Sequence, residues 1–190
     1  MHEYSINSDR KSIIAFLAII SSALAGWLNE SLAATIPFQI PITFTLFFGI
    51  LYWFFNAFAW KWFSIIIKTP NLNGIWEGNL KSSYTQFTKE LPASIEIVQT
   101  WTKICIKGKF NQSSSCSNMA SIKLDESGIQ IFYAYINETD PEFSTDTMVN
   151  HSGYATFNMD LKNKIATGTY FNNPSSRNQN HGKLSLKKES

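Results

Sequence analysis

The sequence predicts an all-β soluble domain that follows a two-helix transmembrane hairpin. Charged residues are strongly segregated: residues 12–67 contain two of them, whereas residues 71–190 carry 12 Lys and Arg and 11 Asp and Glu. After residue 70, apolar and polar residues alternate with a period of two, which is typical of half-buried strands. The 190-residue chain therefore divides into a membrane part and one domain of about 120 residues.

Two apolar stretches predict the membrane part. The first lies between Lys11 and Glu30 and contains no charge, close to the lower limit of about 17–25 residues for a spanning helix. The second follows Pro41, a residue that suits the first turn of a helix because its missing N–H is not needed there. We predict spans at about residues 12–29 and 42–63, after an N-terminal cytosolic tail of residues 1–11.

Basic residues predict the orientation of this hairpin. Arg10 and Lys11 precede the first span, Lys61 and Lys68 lie at the end of the second, and the connecting loop offers only Glu30. By the positive-inside rule, both termini are expected in the cytoplasm, as in a multi-pass membrane protein.

A cleavable signal peptide is the alternative for the first stretch, because Ala23, Leu24 and Ala25 follow the apolar run as a cleavage site would. We favour the uncleaved hairpin, since cleavage would leave only a short stub before a second span. Cys105 and Cys116 are then expected as free thiols in a reducing compartment.

Small and polar residues within the spans predict close helix packing. Ser21 and Gly26 in the first span and Asn56 in the second can let helices approach or hydrogen-bond inside lipid. These residues serve contacts within one hairpin or between subunits, and the sequence leaves both open.

The alternation after residue 70 predicts eight antiparallel strands joined by short turns. An up-and-down barrel of the lipocalin-like kind is the economical arrangement because closure removes the sheet edges, and a two-sheet sandwich is the alternative. Gly74 and Trp76 form a Gly-x-Trp pattern in which the indole plugs one end of such barrels. The predicted strands are 74–82, 93–101, 102–110, 118–125, 129–138, 152–161, 164–171 and 182–188.

Catalytic patterns are missing from the sequence. His151 and His181 stand alone near predicted loops, and no HExxH, GxSxG or P-loop spacing occurs. Asp140, Glu142 and Asp146 form an acidic loop that is expected to be solvated. We predict that the protein is not an enzyme and that it uses no metal and no cofactor.

Two loops carry side chains suited to a nucleotide. Residues 168–183 bring together Tyr170, Asn172, Asn173 and Arg177, which offer a stacking face, amides for base edges and a planar fork for a phosphate. The alternative is that these are polar loops without a special purpose. With the first hairpin and inward aromatics, the predicted ligand-binding residues are Trp76, Tyr84, Lys89, Tyr133, Tyr170, Asn172, Asn173 and Arg177.

The order of elements and two short motifs resemble a known family. Residues 70–78 (PNLNGIWEG) open the β-rich part, and GxYFxNP at 168–174 is followed by GxL at 182–184. Together with the two short spans, these residues resemble the minimal two-transmembrane β-barrel effectors of bacterial CBASS antiphage systems.

This resemblance implies a function in antiviral defence by abortive infection. A partner CD-NTase makes a cyclic dinucleotide, the cytosolic barrel of residues 71–190 binds it, and the protein oligomerises through its helices and disrupts the inner membrane. The implied partners are the cyclic dinucleotide, further copies of the chain, the CD-NTase and membrane lipid.

Two other functions remain open on the residues alone. One is a membrane-tethered lipocalin-like carrier of an apolar ligand, and the other is an inert scaffold for partner proteins. A DNA or RNA polymer is not expected as a partner, because the soluble part has a net charge of only +1.

Overall fold

A computed structural model describes residues 1–33, 43–143, 150–173 and 179–189, without the side chains of Leu32, Ala33, Phe143 and Asn173. The chain forms two compact units. One comprises Ser8–Thr69, and the other combines Met1–Asn7 with Pro70–Ser190. The first residues of the chain therefore belong to the same unit as its C-terminal two thirds.

The unit of residues 8–69 contains two apolar helices. Helix α1 (Arg10–Ala33) is long and apolar enough to cross a membrane. Helix α2 (Phe44–Ala57) has 14 residues and begins where the Thr43 hydroxyl accepts a hydrogen bond from the Leu46 N–H. The predicted second span of 42–63 is thus only partly regular helix, because the chain continues as a short 3₁₀ turn at Ala59–Lys61.

The surface of this unit is unusually apolar. In α1 a buried row of small and apolar residues with a spacing of four, Leu17, Ser21 and Ala25, contrasts with large apolar residues that point outwards. Such exposure is unfavourable in water and is typical of a helix in lipid. The exposed large apolar side chains include Phe16, Ile19, Trp27, Leu46, Ile50, Trp53, Trp62, Ile65 and Ile66.

The second unit is a β-sheet of nine strands. The eight strands that follow the helices pair antiparallel in chain order, and the last returns to the first, so that the sheet closes into a barrel. Their bounds agree closely with the alternation, but the predicted number of eight was wrong, because a ninth strand precedes the helices. The strands are β1 (His2–Ile6), β2 (Gly74–Ser82), β3 (Glu90–Gln99), β4 (Lys103–Phe110), β5 (Ser113–Asp125), β6 (Gly128–Thr139), β7 (His151–Asp160), β8 (Ile165–Asn173) and β9 (His181–Lys188).

Strand β1 fills a gap between β4 and β5. These two strands pair directly only from Lys107 to Lys109 with residues 114–116. Beyond that point β1 lies antiparallel to β4 and parallel to β5, with Tyr4 beside Ala120. The segment expected to be an N-terminal tail is therefore part of the sheet.

Side chains fix β1 in this position. The buried Tyr4 hydroxyl donates to the carbonyl of Trp101 at 2.9 Å and accepts from Gln99 Nε2 at 3.0 Å. Asn7 makes two hydrogen bonds with the backbone of Leu124, at 2.8 and 3.0 Å. Strands β4 and β5 separate here and do not pair with each other. The bonds of Tyr4 and Asn7 satisfy polar groups that this separation would otherwise leave without a partner.

The two ends of the barrel differ in what fills them. At the end that holds β1, here called the plugged end, Trp76 is 1% exposed and its indole N–H donates to the carbonyl of Leu72 at 3.2 Å. Isoleucines, Phe157 and Met159 complete this core. At the other end the inward rows of several strands finish in polar residues such as Asn137 and Asn172.

Candidate functional site

A cavity of about 320 Å³ opens at this polar end of the barrel. Its wall combines aromatic rings with hydrogen-bonding groups. In small-molecule sites such rings provide contact area and such polar groups orient the ligand. Among the described residues, its most distinctive lining side chains are Tyr84, Tyr133, Tyr135 and Tyr170 together with Ser82, Lys89, Ser115, Asn137, His151 and Asn172.

Stacked aromatic rings form the deep part of the cavity. Tyr133 lies parallel to Phe157, with ring centroids 6.1 Å apart, and contacts Tyr135 at 6.0 Å. Burial raises the pKa of both tyrosines, so their hydroxyls remain protonated and able to donate. Gly153 makes room for this arrangement, because a Cβ there would collide with the phenol group of Tyr135.

Another tyrosine of the wall, Tyr170, is oriented by the first hairpin. Tyr170 donates its hydroxyl hydrogen to Ser82 Oγ at 2.8 Å, and the same oxygen accepts from the backbone N–H of Tyr84 at 3.2 Å. Gly182 permits this position, since a Cβ there would lie 2.5 Å from the Tyr170 ring. The ring is thereby held against the cavity wall with a defined face.

Asn172 has the most constrained polar side chain of the wall. Its Oδ1 accepts from the backbone N–H of Asn180 at 2.8 Å, and its Nδ2 lies 3.0 Å from Nε2 of His151. Because the backbone N–H must donate to an oxygen, the amide nitrogen faces the histidine. His151 Nε2 therefore acts as the acceptor of this hydrogen bond.

Five of the predicted binding residues meet around this one cavity: Tyr84, Lys89, Tyr133, Tyr170 and Asn172. They come from strands β6 and β8 and from the first hairpin, which the barrel brings together although the sequence separates them by up to about 90 positions. Lys89 is exposed at the rim and is the one charged side chain among the described lining residues.

The other three predicted residues lie elsewhere or outside the description. Trp76 is buried at the plugged end and does not line the cavity. The backbone of Asn173 pairs with Ser152, but its side chain is not described, and Arg177 lies outside the described residues.

Several wall residues escaped the sequence prediction. Asn137 follows Tyr133 and Tyr135 at the same period of two, so a polar residue in an inward row was the available signal. Ser115 was hidden by an irregularity between Ser117 and Met119 that shifts the register of β5. His151 begins β7 and gave no signal of its own.

This cavity suits a planar, polar ligand. Tyrosine faces can stack on a ring, and amide, hydroxyl and imidazole groups can hydrogen-bond to its edges. No group of three or more His, Cys, Asp or Glu side chains suited to a metal ion occurs within the described part of the chain. A barrel with such a cavity at one end and an apolar helical unit in the same chain defines the class of membrane-associated receptors for small ligands.

Comparison with known proteins identifies the family within this class. Residues 67–188 match the family model described as "Cap15, cyclic dinucleotide receptor domain", and residues 11–61 match "Cap15, TM helices". The chain belongs to the Cap15 family. It is 30% identical to "CD-NTase-associated protein 15" of Yersinia aleksiciae over 90% of both chains, and 26% identical to the protein of that name from Escherichia albertii over 85% of this chain and 80% of that one.

Proposed function

We propose that this protein is a CBASS effector whose barrel binds a cyclic dinucleotide in the cavity at its polar end. The observation that carries the proposal is the aromatic and amide-lined cavity of about 320 Å³, which lies within the residues that match the receptor-domain model. A partner CD-NTase supplies the ligand, and binding signals a phage infection.

The cavity offers a partner for each part of such a ligand. Tyr133 and Tyr170 present faces on which a base stacks, and Asn172 and Asn137 present groups for base edges. Lys89 at the rim meets one phosphate, and Arg177, which lies outside the described residues, stays the candidate that the sequence offers for the other. A cationic side chain favours phosphate through charge-assisted hydrogen bonds, and stacking on an aromatic ring stabilises a base by about 1–3 kcal/mol.

The barrel works as lipocalin-like barrels do, with one end filled and one end open to ligand. Support comes from Trp76, which occupies the plugged end of the closed sheet, and from the dimensions of eight-stranded barrels, whose interior holds one small ligand. The cytosolic domain comprises residues 71–190 together with strand β1.

An apolar ligand fits this cavity less well. Ser115, Asn137 and Asn172 all belong to its wall, and an apolar molecule would remove their polar groups from water without a hydrogen bond in return. Binding of an apolar ligand, as the carrier alternative requires, therefore has a desolvation penalty that binding of a nucleotide avoids.

The membrane topology that we propose is two crossings with both termini in the cytoplasm. Support comes from β1, because it shares one sheet with the strands that follow the helices. A chain that leaves this sheet after Asn7 and returns to it at Pro70 must return to the same side of a membrane. If α1 crosses, α2 and the residues around it complete the return, and Arg10, Lys11, Lys61 and Lys68 favour the cytoplasm for both ends.

Ligand binding then drives oligomerisation through the helices and disruption of the inner membrane, which kills the infected cell. Gly26 supports a helix contact between copies, because no atom lies within 4 Å of the position of its missing Cβ, and small residues on a free face let helices approach. Ser21 faces the interior and donates to the carbonyl of Leu17 at 2.6 Å, and Asn56 in α2 is half-buried. We propose that Gly26 serves contacts between copies and Ser21 contacts within the hairpin.

Calorimetry of the full chain in detergent against a panel of cyclic dinucleotides tests the binding step. We expect one member of the panel to bind at micromolar concentration or below and linear dinucleotides to bind more weakly. Absence of binding by the whole panel at tens of micromolar, together with lipid that co-purifies with the protein, would instead favour the carrier.

Expression in cells with an inducible partner nucleotidyltransferase tests the second step. We expect loss of membrane potential only when both proteins are present, and Gly26→Leu should reduce this loss while ligand binding by the purified variant stays unchanged. Depolarisation in cells without the nucleotidyltransferase would show that killing does not depend on ligand binding by the barrel.

A further inference from the structure

The two cysteines of the chain lie diagonally across from each other on neighbouring strands, since the direct partner of Cys116 is Lys107. Cys105 Sγ in β4 lies 3.8 Å from Cys116 Sγ in β5. Since Ile104 and Ile106 belong to the core, the side chain of Cys105 points to the outer face of the barrel. Cys116 lies between two inward serines and is exposed on the same face. The two thiols can therefore meet without crossing the barrel wall.

Their surroundings suit a reaction in which the two thiols act in sequence. Cys116 is exposed and accessible to a solute, whereas Cys105 is 7% exposed. Burial raises the pKa of the Cys105 thiol, while the ammonium group of Met1 and the side chain of Lys107 act in the opposite direction. In such a pair the exposed thiol is oxidised first, and its protected neighbour then resolves the product.

We propose that Cys105 and Cys116 form a peroxide-responsive dithiol. The Cys116 thiolate attacks the peroxide, the O–O bond breaks, and Cys116 becomes a sulfenic acid while an alcohol or water leaves. The Cys105 thiolate then attacks the Cys116 sulfur and expels hydroxide, which leaves as water after protonation. In total two thiols lose two electrons and two protons to one peroxide, and the sulfurs approach by about 1.8 Å to reach the S–S bond length of about 2.05 Å.

The disulfide would join β4 and β5 at the point where their direct pairing ends. The last directly paired residues are Lys107 and Cys116, and β1 occupies the gap beyond them, so the new bond would lie beside the N-terminal end of β1. It also fixes the position of Ser115, the neighbour of Cys116 that lines the cavity. Because the cytosol keeps thiols reduced, the bond is expected to form under oxidative stress and to be reversed afterwards.

Mass spectrometry of the full chain in detergent tests this proposal. After treatment with an equivalent of hydrogen peroxide, we expect the peptides of Cys105 and Cys116 to be joined within one chain, with the loss of two hydrogen atoms and complete reversal by dithiothreitol. Thermal unfolding should shift to higher temperature in the oxidised protein and return on reduction.

Two variants distinguish the roles of the thiols. Cys105→Ser should accumulate a sulfenic acid at Cys116 that dimedone traps, whereas Cys116→Ser should leave Cys105 unmodified at the same peroxide concentration. The proposal is overturned if the wild-type protein gives only Cys116 dimers between chains or sulfinic acid at Cys116. It is also overturned if Cys105 is oxidised equally fast in the Cys116→Ser variant.

Discussion

Asn172 shows how a single side chain can specify a binding wall. Its amide is oriented by the backbone of Asn180 on one side and by His151 on the other, so its polar groups are positioned before a ligand arrives. Preorganisation of this kind reduces the entropy that binding must overcome. Tyr170, oriented by Ser82, follows the same rule.

Asn172→Ala is expected to weaken binding of the cyclic dinucleotide by roughly 5- to 150-fold, the range for one lost buried hydrogen bond of about 1–3 kcal/mol. Calorimetry on the full chain measures the change. Asn158→Ala is the matched control, because Asn158 is exposed on the outer face of β7 and bonds to Gln130. Equal losses in both variants would contradict a role of Asn172 in the wall.

Lys89→Ala is expected to reduce affinity by roughly two- to fivefold, since an exposed ion pair stabilises by less than about 1 kcal/mol. The dependence of affinity on salt should also become weaker, because one phosphate contact is lost. Lys109→Ala, which removes an exposed lysine from β4, is the control. A salt dependence that Lys89→Ala leaves unchanged would place the phosphate elsewhere.

At the scale of elements, strand β1 is the feature that could not be predicted from the sequence. The other strands are predicted by alternation of apolar and polar residues over 8–13 residues. This pattern depends only on local spacing. Strand β1 has five residues, and its partners lie about 100 positions away. Its place in the sheet depends on contacts of Tyr4 with Gln99 and Trp101 and of Asn7 with Leu124, all remote in the sequence.

The same contrast explains what could be predicted of the site. Tyr133 was found because its chemistry and its period-two position are both visible in the sequence, whereas Tyr170 and Asn172 were predicted from their chemistry as members of a loop, and the structure places both on β8. Trp76 was placed in the binding site for its aromatic face, but its burial beside Leu72 depends on which end of the barrel closes. That choice is made by tertiary packing, as is the register shift that brings Ser115 inward.

Deletion of residues 1–7 from the full chain is expected to lower the midpoint of thermal unfolding by about 10 °C, since it removes the buried Tyr4 and exposes the gap between β4 and β5. A synthetic peptide of residues 1–7 should restore much of this loss by adding back a strand. The peptide with Tyr4→Ala is the matched control. If both peptides restore stability equally, the specific hydrogen bonds of Tyr4 do not hold the strand.

At the scale of the whole molecule, the shared sheet supports the proposed pair of membrane crossings. A single β-sheet cannot be assembled from strands on opposite sides of a bilayer, because backbone groups in lipid must be satisfied within the protein. The strand before α1 and the strands after α2 therefore constrain the topology more strongly than the length of α2 does.

Labelling with a membrane-impermeant maleimide tests this topology. In inside-out vesicles we expect labelling of Cys116 in the wild-type protein, and of Ser5→Cys in a variant that lacks the native cysteines. In intact spheroplasts neither should react until lysis. Glu30→Cys in the cysteine-free background is the converse control and should react from outside. Labelling of Ser5→Cys from outside would contradict a cytoplasmic N-terminus, and labelling of Ser5→Cys and Glu30→Cys from the same side would contradict a crossing by α1.

The residues that strand β1 brings into contact are synthesised at different times. Tyr4 and Trp101 are 97 positions apart, so at 5–20 residues per second the ribosome needs roughly 5–20 s to supply the partner of a strand that is already made. During that interval the first strand has none of its partner strands available. Biogenesis must therefore keep the nascent N-terminus available, and crowded synthesis gives it the chance to find the vacant slot of a neighbouring copy instead.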